Sequence, residues 1–345
     1  MRALTLTAHG GLDQITVRSD LPDPELAGPR DVRVRLTAAA LNRLDLFVVG
    51  GLPGHANAPG WVLGADGTGR IDRCGAEVTD VSVGDRVVIN PGVSCGSCGY
   101  CLADQQPLCL KFGVLGEHRP GTFAEYVTVP ATNVQRIPDS IDDATAAAFT
   151  LATLTAWRMV HTRAHVQAGD TVLVQGIGGG VAIAALQICK RIGARVIVTS
   201  GSDHKLARAI ALGADDTINY RTSDVAREVR ARTGKRGADV VIDSGGTDSW
   251  AASLGSLGRM GRLVTCGGST GPMLHTDVRK LFWNQWSILG STMGSLPEFA
   301  TIVAELRAGQ LHPPVDRVFD LADGRAAFEH LASGAQFGKV VLRIA

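Results

Sequence analysis

Thr171-Val172-Leu173-Val174-Gln175-Gly176-Ile177-Gly178-Gly179-Gly180-Val181-Ala182 changes character twice within a dozen residues. A short apolar, β-branched run ends at a glycine cluster, and an apolar segment then runs from Val181 to Ile192 before Gly193 closes it. The first part predicts a buried strand, the last an α-helix with a glycine stop. Between them lies a turn whose glycines let backbone N–H groups approach a pyrophosphate at the positive end of the helix. Gly176, Gly178, Gly179, Gly180 and Val181 are therefore the expected nucleotide cradle. Ala182 takes the small position where the third glycine of the fingerprint falls, a position that serves close helix-to-strand packing.

Further strand candidates follow at Arg195 to Thr199, Thr217 to Tyr220, Val240 to Ile242, Leu263 to Thr265 and Ile288-Leu289, with helical stretches between the earlier ones. Strands alternating with helices predict a doubly wound parallel sheet, an α/β architecture of Rossmann type over residues 146–290. The first 140 residues read differently. Val32 to Leu36, Gly67 to Ile71, Arg86 to Ile89 and Ala124 to Val127 predict short strands of a β-rich, barrel-like domain. Beyond the sheet, Ser295 and Glu298 form a capping box opening a helix that ends at Gly309, and Lys339 to Leu342 reads as a last strand. This tail is expected to rejoin the first domain, giving 1–145 with 291–345 as one domain and 146–290 as the other.

At the end of the second strand, where an acidic residue would hold the ribose 2′-OH of a dinucleotide, stands Ser200. Ser200, Ser202 and Lys205 offer hydroxyls and a cation, which favours the 2′-phosphate of NADPH over NADH. The alternative is that Ser202 only caps the next helix while Asp203 takes the ribose. Four of seven cysteines fall in Cys95-x2-Cys98-x2-Cys101-x7-Cys109. Such spacing suits a closed zinc site of four thiolates, structural because no coordination position stays open.

With 34 basic and 33 acidic residues the formal charge is +1, so composition gives no footprint for nucleic acid or an acidic membrane. A small-molecule substrate fits better. The N-terminus lacks a continuous apolar run, and clustered thiols suit a reducing, cytoplasmic setting.

These motifs resemble the medium-chain dehydrogenase/reductase superfamily, specifically its quinone-oxidoreductase-like branch. The cysteine loop, the Gly176 to Ala182 turn, Thr153-Leu154-Thr155-Ala156-Trp157, Ile218-Asn219-Tyr220 and Phe337-Gly338-Lys339-Val340-Val341 occur in family order. The resemblance implies a GroES-like first domain, a homodimer or homotetramer, and an enzyme using NADPH with one structural zinc per chain. Zinc alcohol dehydrogenases of the superfamily hold a catalytic metal with Cys, His and a later Cys or Asp. Here those places carry Asn42, Ala65 and, at or near the third, Leu151. None is a good zinc ligand.

Losing that Lewis acid makes alcohol–carbonyl interconversion harder and leaves conjugated acceptors, quinones or α,β-unsaturated carbonyls, as the easier hydride targets. The resemblance places Asn42 and Asp45 at the cleft and Thr155 near the nicotinamide. It places Tyr220 at the adenine or 2′-phosphate, with Ser244, Gly245 and Gly267 along the ribose and pyrophosphate edge, and Lys339 as a further cofactor contact. Asp45 reads equally well as a carboxylate bonded to backbone inside the first domain. Two other functions stay open: an alcohol dehydrogenase with an atypical site around Asp66, and a non-catalytic NADPH-binding sensor or structural protein. His55 and His118 read as surface groups, Cys266 as a small buried hydrophobe, and Phe282, Trp283 and Trp286 as packing residues that could face a dimer partner.

Overall fold

The computed structural model describes residues 1–53, 57 and 59–344, and His55 lies outside them. The chain forms two compact units, Met1–Leu151 with Gly294–Ala345, and Ala152–Met293. The divisions fall after Leu151 and Met293, where the sequence suggested 145 and 290.

The second unit carries six parallel strands: β1 (Thr171–Val174), β2 (Arg195–Ser200), β3 (Asp216–Asn219), β4 (Ala238–Asp243), β5 (Leu257–Thr265) and β6 (Ser287–Gly290). Their order is β3-β2-β1-β4-β5-β6, the doubly wound arrangement that reverses direction beside β1. All four residues of β1 are buried, which explains an apolar run without alternation. Val172 pairs with Val196 of β2 on one side and Val240 of β4 on the other. The helix Gly180–Ile192 buries Ile183, Leu186 and Ile188, and Gly193 ends it at φ +88°, a conformation that favours glycine.

The first unit is built on a seven-stranded sheet centred on the strand Asp31–Ala40. That strand pairs with Asp66–Cys74, Tyr126–Pro130 and the C-terminal Lys339–Arg343, all antiparallel. Ala40 thereby sits opposite both Asp66 and Val341, which draws Asn42, Asp66 and Lys339 together at one end of the sheet. Its core includes Leu4, Leu36, Val87 and Phe123, the last meeting Phe328 edge-on at 6.1 Å between centroids.

Several elements differ from the sequence expectation. The predicted strand at Ala124 begins at Tyr126, because Ala124 instead makes a single bridge to Ala3. The strand Val315–Asp320 and the helix Gly324–Ala332 went unread. Val315–Asp320 is a sheet-edge strand carrying Asp316, Arg317 and Asp320, so it lacks apolar alternation. The six residues Arg158–Arg163 form a π-helical turn directly after the helix Thr150–Trp157, a feature without a sequence signature.

Candidate active site

In the nucleotide-binding unit, β1 delivers the glycine turn. Gly176 (φ +69°) and Gly178 (φ +130°) hold backbone conformations that L side chains rarely adopt. A Cβ added at Gly176 or Gly179 would meet nothing within 4 Å, so the turn faces open space. The helix behind it starts at Gly180, and its N-cap Gly179 has no side chain to satisfy the first-turn N–H groups. Gly180, Val181 and Ala182 therefore present donors in the manner of an anion site. This fits a dinucleotide pyrophosphate.

A buried hydrogen-bond relay fixes this turn. Gly176 N–H donates to Thr199 Oγ1 (3.0 Å), Thr199 Oγ1 donates to Gln175 Oε1 (2.6 Å), and Gln175 Nε2 donates to Ser253 Oγ (3.0 Å). Ser253 donates to Asp243 Oδ2 (2.7 Å), while Asp243 Oδ1 receives Ser249 Oγ (2.8 Å) and Gly245 N–H (2.7 Å). Asp243 is fully buried, so its carboxylate needs these partners. The relay ties together the C-terminal ends of β1, β2 and β4, where a doubly wound sheet binds ligands. Sequence reading missed it, although polar residues ending otherwise apolar strands were the available signal.

Ser244, Gly245 and Gly267 come together beside it. Ser244 O accepts from Ser269 Oγ (3.0 Å), and a Cβ on Gly267 would lie 3.5 Å from Ser244 O. At the end of β2, Ser200 Oγ accepts from Ser202 N–H (3.2 Å), and Ser202 caps the helix Asp203–Ala211 through Lys205 N–H (3.5 Å). Lys205 reaches back to the glycine turn, its Nζ 3.3 Å from where a Gly178 Cβ would stand. Asp203 is engaged by Asn219 Nδ2 (2.7 Å), and Tyr220 is half exposed. Thr155 is buried in this same unit, with its hydroxyl 3.8 Å from Met293 Sδ.

The first unit holds a second buried polar cluster. Asp66 is fully buried and both its oxygens are used: Oδ1 accepts from Thr150 Oγ1 (2.6 Å) and Leu151 N–H (2.7 Å), Oδ2 from Asn42 Nδ2 (2.9 Å) and Lys339 Nζ (2.9 Å). Lys339 also donates to Asn42 Oδ1, so the amide of Asn42 is gripped at both ends. Lys339 is thus a buried partner of Asn42 and Asp66 within its own unit. Asp45 accepts from Asn42 N–H (2.6 Å) at the start of the helix Arg43–Gly50. Burial raises its carboxyl to about 7, against the lowering influence of the Asn42 N–H and of Lys339. Ala65 offers no donor atom, and Leu151 contributes a backbone N–H rather than a ligand. This donor set does not fit a catalytic zinc.

The cysteine loop does fit a metal. The four sulfurs of Cys95, Cys98, Cys101 and Cys109 lie within 4.8 Å of one another, with Cys98 to Cys101 at 3.5 Å and Cys95 to Cys101 at 3.9 Å. A tetrahedral zinc centre with four thiolates at about 2.3 Å places sulfurs about 3.8 Å apart. Backbone N–H groups of Cys95 (3.4 Å) and Lys111 (3.3 Å) point at Cys109 Sγ. Those of Ser97 and Cys98 hold the Cys95 thiol down to about 5, which favours the thiolate that a metal requires. Among the described residues no other group of three or more His, Cys, Asp or Glu side chains is placed to share a metal.

The remaining residues separate cleanly. His118 Nδ1 accepts from Val114 N–H (3.2 Å) beside Glu117. Burial pushes the Cys266 thiol up to about 12, leaving it protonated. Trp286 packs on the sheet core and donates to Gly258 O (2.8 Å), whereas Phe282 and Trp283, expected from sequence to pack within the chain or against a dimer partner, are 63% and 73% exposed in the single chain. Tyr126 lies under the guanidinium of Arg33, 5.0 Å from its ring centroid, and so serves the first unit's surface.

Two family models match the chain, an alcohol dehydrogenase GroES-like domain over residues 28–139 and a zinc-binding dehydrogenase over 180–308. A zinc-type alcohol dehydrogenase-like protein of Schizosaccharomyces pombe is 34% identical, covering 99% of each chain. A quinone oxidoreductase of Pseudomonas aeruginosa is 30% identical, again over 99% of each. A crystal structure described as an NAD-dependent alcohol dehydrogenase superposes at a TM-score of 0.96 with 45% identity over the full length of both chains.

Proposed function

This chain belongs to the medium-chain dehydrogenase/reductase superfamily, and on that premise we propose that it is an NADPH-dependent oxidoreductase delivering hydride to a quinone or an α,β-unsaturated carbonyl compound. The observation that carries this reading is the cluster around Asp66. Where metal-dependent relatives need three ligands, Asn42 is held by Lys339 and Asp66, Ala65 has no donor, and every oxygen of Asp66 is engaged. Without an electrophilic metal, an acceptor that spreads negative charge over a conjugated system is the better partner. NADPH, when bound, supplies the hydride.

The chain's own residues do the binding and orienting. Gly176, Gly178, Gly179, Gly180 and Val181 hold the pyrophosphate, Ser244, Gly245 and Gly267 the ribose and pyrophosphate edge, Ser200, Ser202 and Lys205 the 2′-phosphate, and Tyr220 the adenine beside it. Thr155 approaches the nicotinamide. Asn42 orients ligand and does not titrate; Lys339 and Asp66 set its amide, and Asp45 sets its backbone, so those three act through Asn42. Cys95, Cys98, Cys101 and Cys109 hold one structural zinc.

The 45%-identical neighbour supports a second reading, NAD-dependent alcohol oxidation. Steady-state assays with NADPH and NADH against quinones, enones, aldehydes and secondary alcohols separate the two. Turnover confined to quinones or enones with NADPH supports the first; turnover of simple alcohols with NAD replaces it with the second. Tight NADPH binding without any turnover would make the protein a sensor or structural binder.

We assign a homodimer to the protein as well. Among the described residues β6 stands at one edge of the sheet, the exposed Phe282 and Trp283 precede it in the chain, and two copies of one strand can pair across a two-fold axis. Sedimentation of wild type and Trp283→Arg tests this, a monomeric wild type being the contrary result. No described helix is long and apolar enough to cross a membrane, and seven unpaired cysteines suit a cytoplasmic setting.

A further inference from the structure

Gly201 follows directly on β2, and its backbone is not in the left-handed region, so conformation alone does not call for glycine there. Space does. A Cβ at this position would stand 2.8 Å from Arg221 Nε, 2.9 Å from Tyr220 Cε2 and 3.0 Å from Tyr220 Cζ. The ring and the guanidinium both lie against the bare backbone at the end of β2. Arg221 is exposed, and its side chain has no ion-pair partner among the described residues.

One side chain organises this corner. Asn219, the last residue of β3, donates through Nδ2 to Asp203 Oδ1 (2.7 Å) and accepts Arg221 N–H at Oδ1 (3.0 Å). One oxygen of the carboxylate that could have held a ribose hydroxyl is thereby engaged, and the same amide fixes the backbone from which Arg221 projects. Lys205 supplies a second cation from the helix Asp203–Ala211, whose positive end also faces this region. The exposed Arg221 guanidinium, set beside a carboxylate that already accepts from Asn219, makes this corner a donor site. Such a site suits a phosphate monoester and serves a ribose diol poorly.

We infer that Arg221, seated with Tyr220 on the bare backbone of Gly201, is a specificity-determining residue that binds the 2′-phosphate of the dinucleotide. The inference rests on the NADPH reading above and deepens it, adding a residue that sequence patterns did not single out. The guanidinium fork can meet two phosphate oxygens, the Tyr220 ring covers the neighbouring base, and Gly201 is small so that both can lie close.

Calorimetric titration of the full-length protein with NADPH, NADH, 2′,5′-ADP, 3′,5′-ADP and 5′-AMP tests it. Arg221→Ala is expected to weaken NADPH and 2′,5′-ADP by roughly tenfold or more while NADH and 5′-AMP stay within about twofold. Arg221→Lys should fall between, since it keeps charge and loses the fork. Gly201→Ala should act in the same direction with Arg221 still present, because the added methyl displaces ring and guanidinium.

Wild-type affinity of Arg221→Ala for 2′,5′-ADP overturns the inference and leaves the NADPH reading standing. Equal loss for NADPH and NADH overturns it too, as a structural effect. If wild type binds 3′,5′-ADP as tightly as 2′,5′-ADP, the site reads a phosphate but not at the ribose 2′ position, and the inference fails. If wild type does not distinguish 2′,5′-ADP from 5′-AMP, the NADPH reading itself falls before any variant is made.

Discussion

Asp45 shows how one buried group couples structure to pH. Its native pKa of about 7 lies above the unfolded value of about 3.9, so its contribution to stability is complete below the unfolded value and is lost as pH rises through 7. Asp45→Asn abolishes that titration while keeping an oxygen for Asn42 N–H. Between about pH 5 and about pH 8.5 the variant should gain about 2–3 kcal/mol relative to wild type in urea denaturation. A difference constant across that range would remove Asp45 from the titration. Lys339 belongs to the same cluster, 4% exposed against a fully buried Asp66. Lys339→Met leaves a buried carboxylate without its cation and should cost about 3–5 kcal/mol. Adding Asp66→Asn should recover much of this loss, and additive costs in the double-mutant cycle would deny the pairing. Asn42 and Asp45 were visible in the sequence as candidates, but their partnership with Lys339, 297 positions away from Asn42, was not. Strand pairing creates that contact, and no local pattern encodes it.

At the level of elements, the β1–glycine–helix unit was readable because hydrophobic burial, glycine conformation and helix termination act over a few neighbouring residues. The relay from Asp243 to Gly176 was not, because it joins three strand ends that only the sheet order brings together. Thr199 is its central link, accepting from Gly176 N–H and donating to Gln175. Thr199→Val keeps the β-branched shape and removes both bonds, so it should cost about 1–3 kcal/mol and weaken NADPH binding several-fold, on the order of fivefold. Calorimetry checks the binding; unchanged affinity in a destabilised variant would make the relay purely structural. The charged edge strand Val315–Asp320 and the π-helical turn after Trp157 escaped the sequence reading for the opposite reason. Their conformations come from tertiary pairing and from backbone bonds spaced five residues apart, such as Ala164 N–H to Met159 O, not from apolar periodicity.

Across the whole molecule, two metal questions receive different answers from the same chemistry. The loop from Cys95 to Cys109 assembles four sulfurs at spacings suited to zinc, whereas Asn42, Ala65 and Leu151 supply an engaged amide, a methyl group and an aliphatic side chain. Both conclusions were available from residue identity alone, because ligand type and spacing are local properties. The substrate was not, since identity between relatives named for alcohols and for quinones is similar along the full chain. The most direct test is metal analysis of the purified protein paired with NADPH oxidation against quinones, enones and aldehydes. About one zinc per chain, lost on Cys95→Ser without gain of aldehyde turnover, together with quinone or enone reduction, is the predicted result. About two zincs per chain with turnover of simple alcohols or aldehydes would contradict it, and would mean that the cluster around Asp66 opens to admit a catalytic metal.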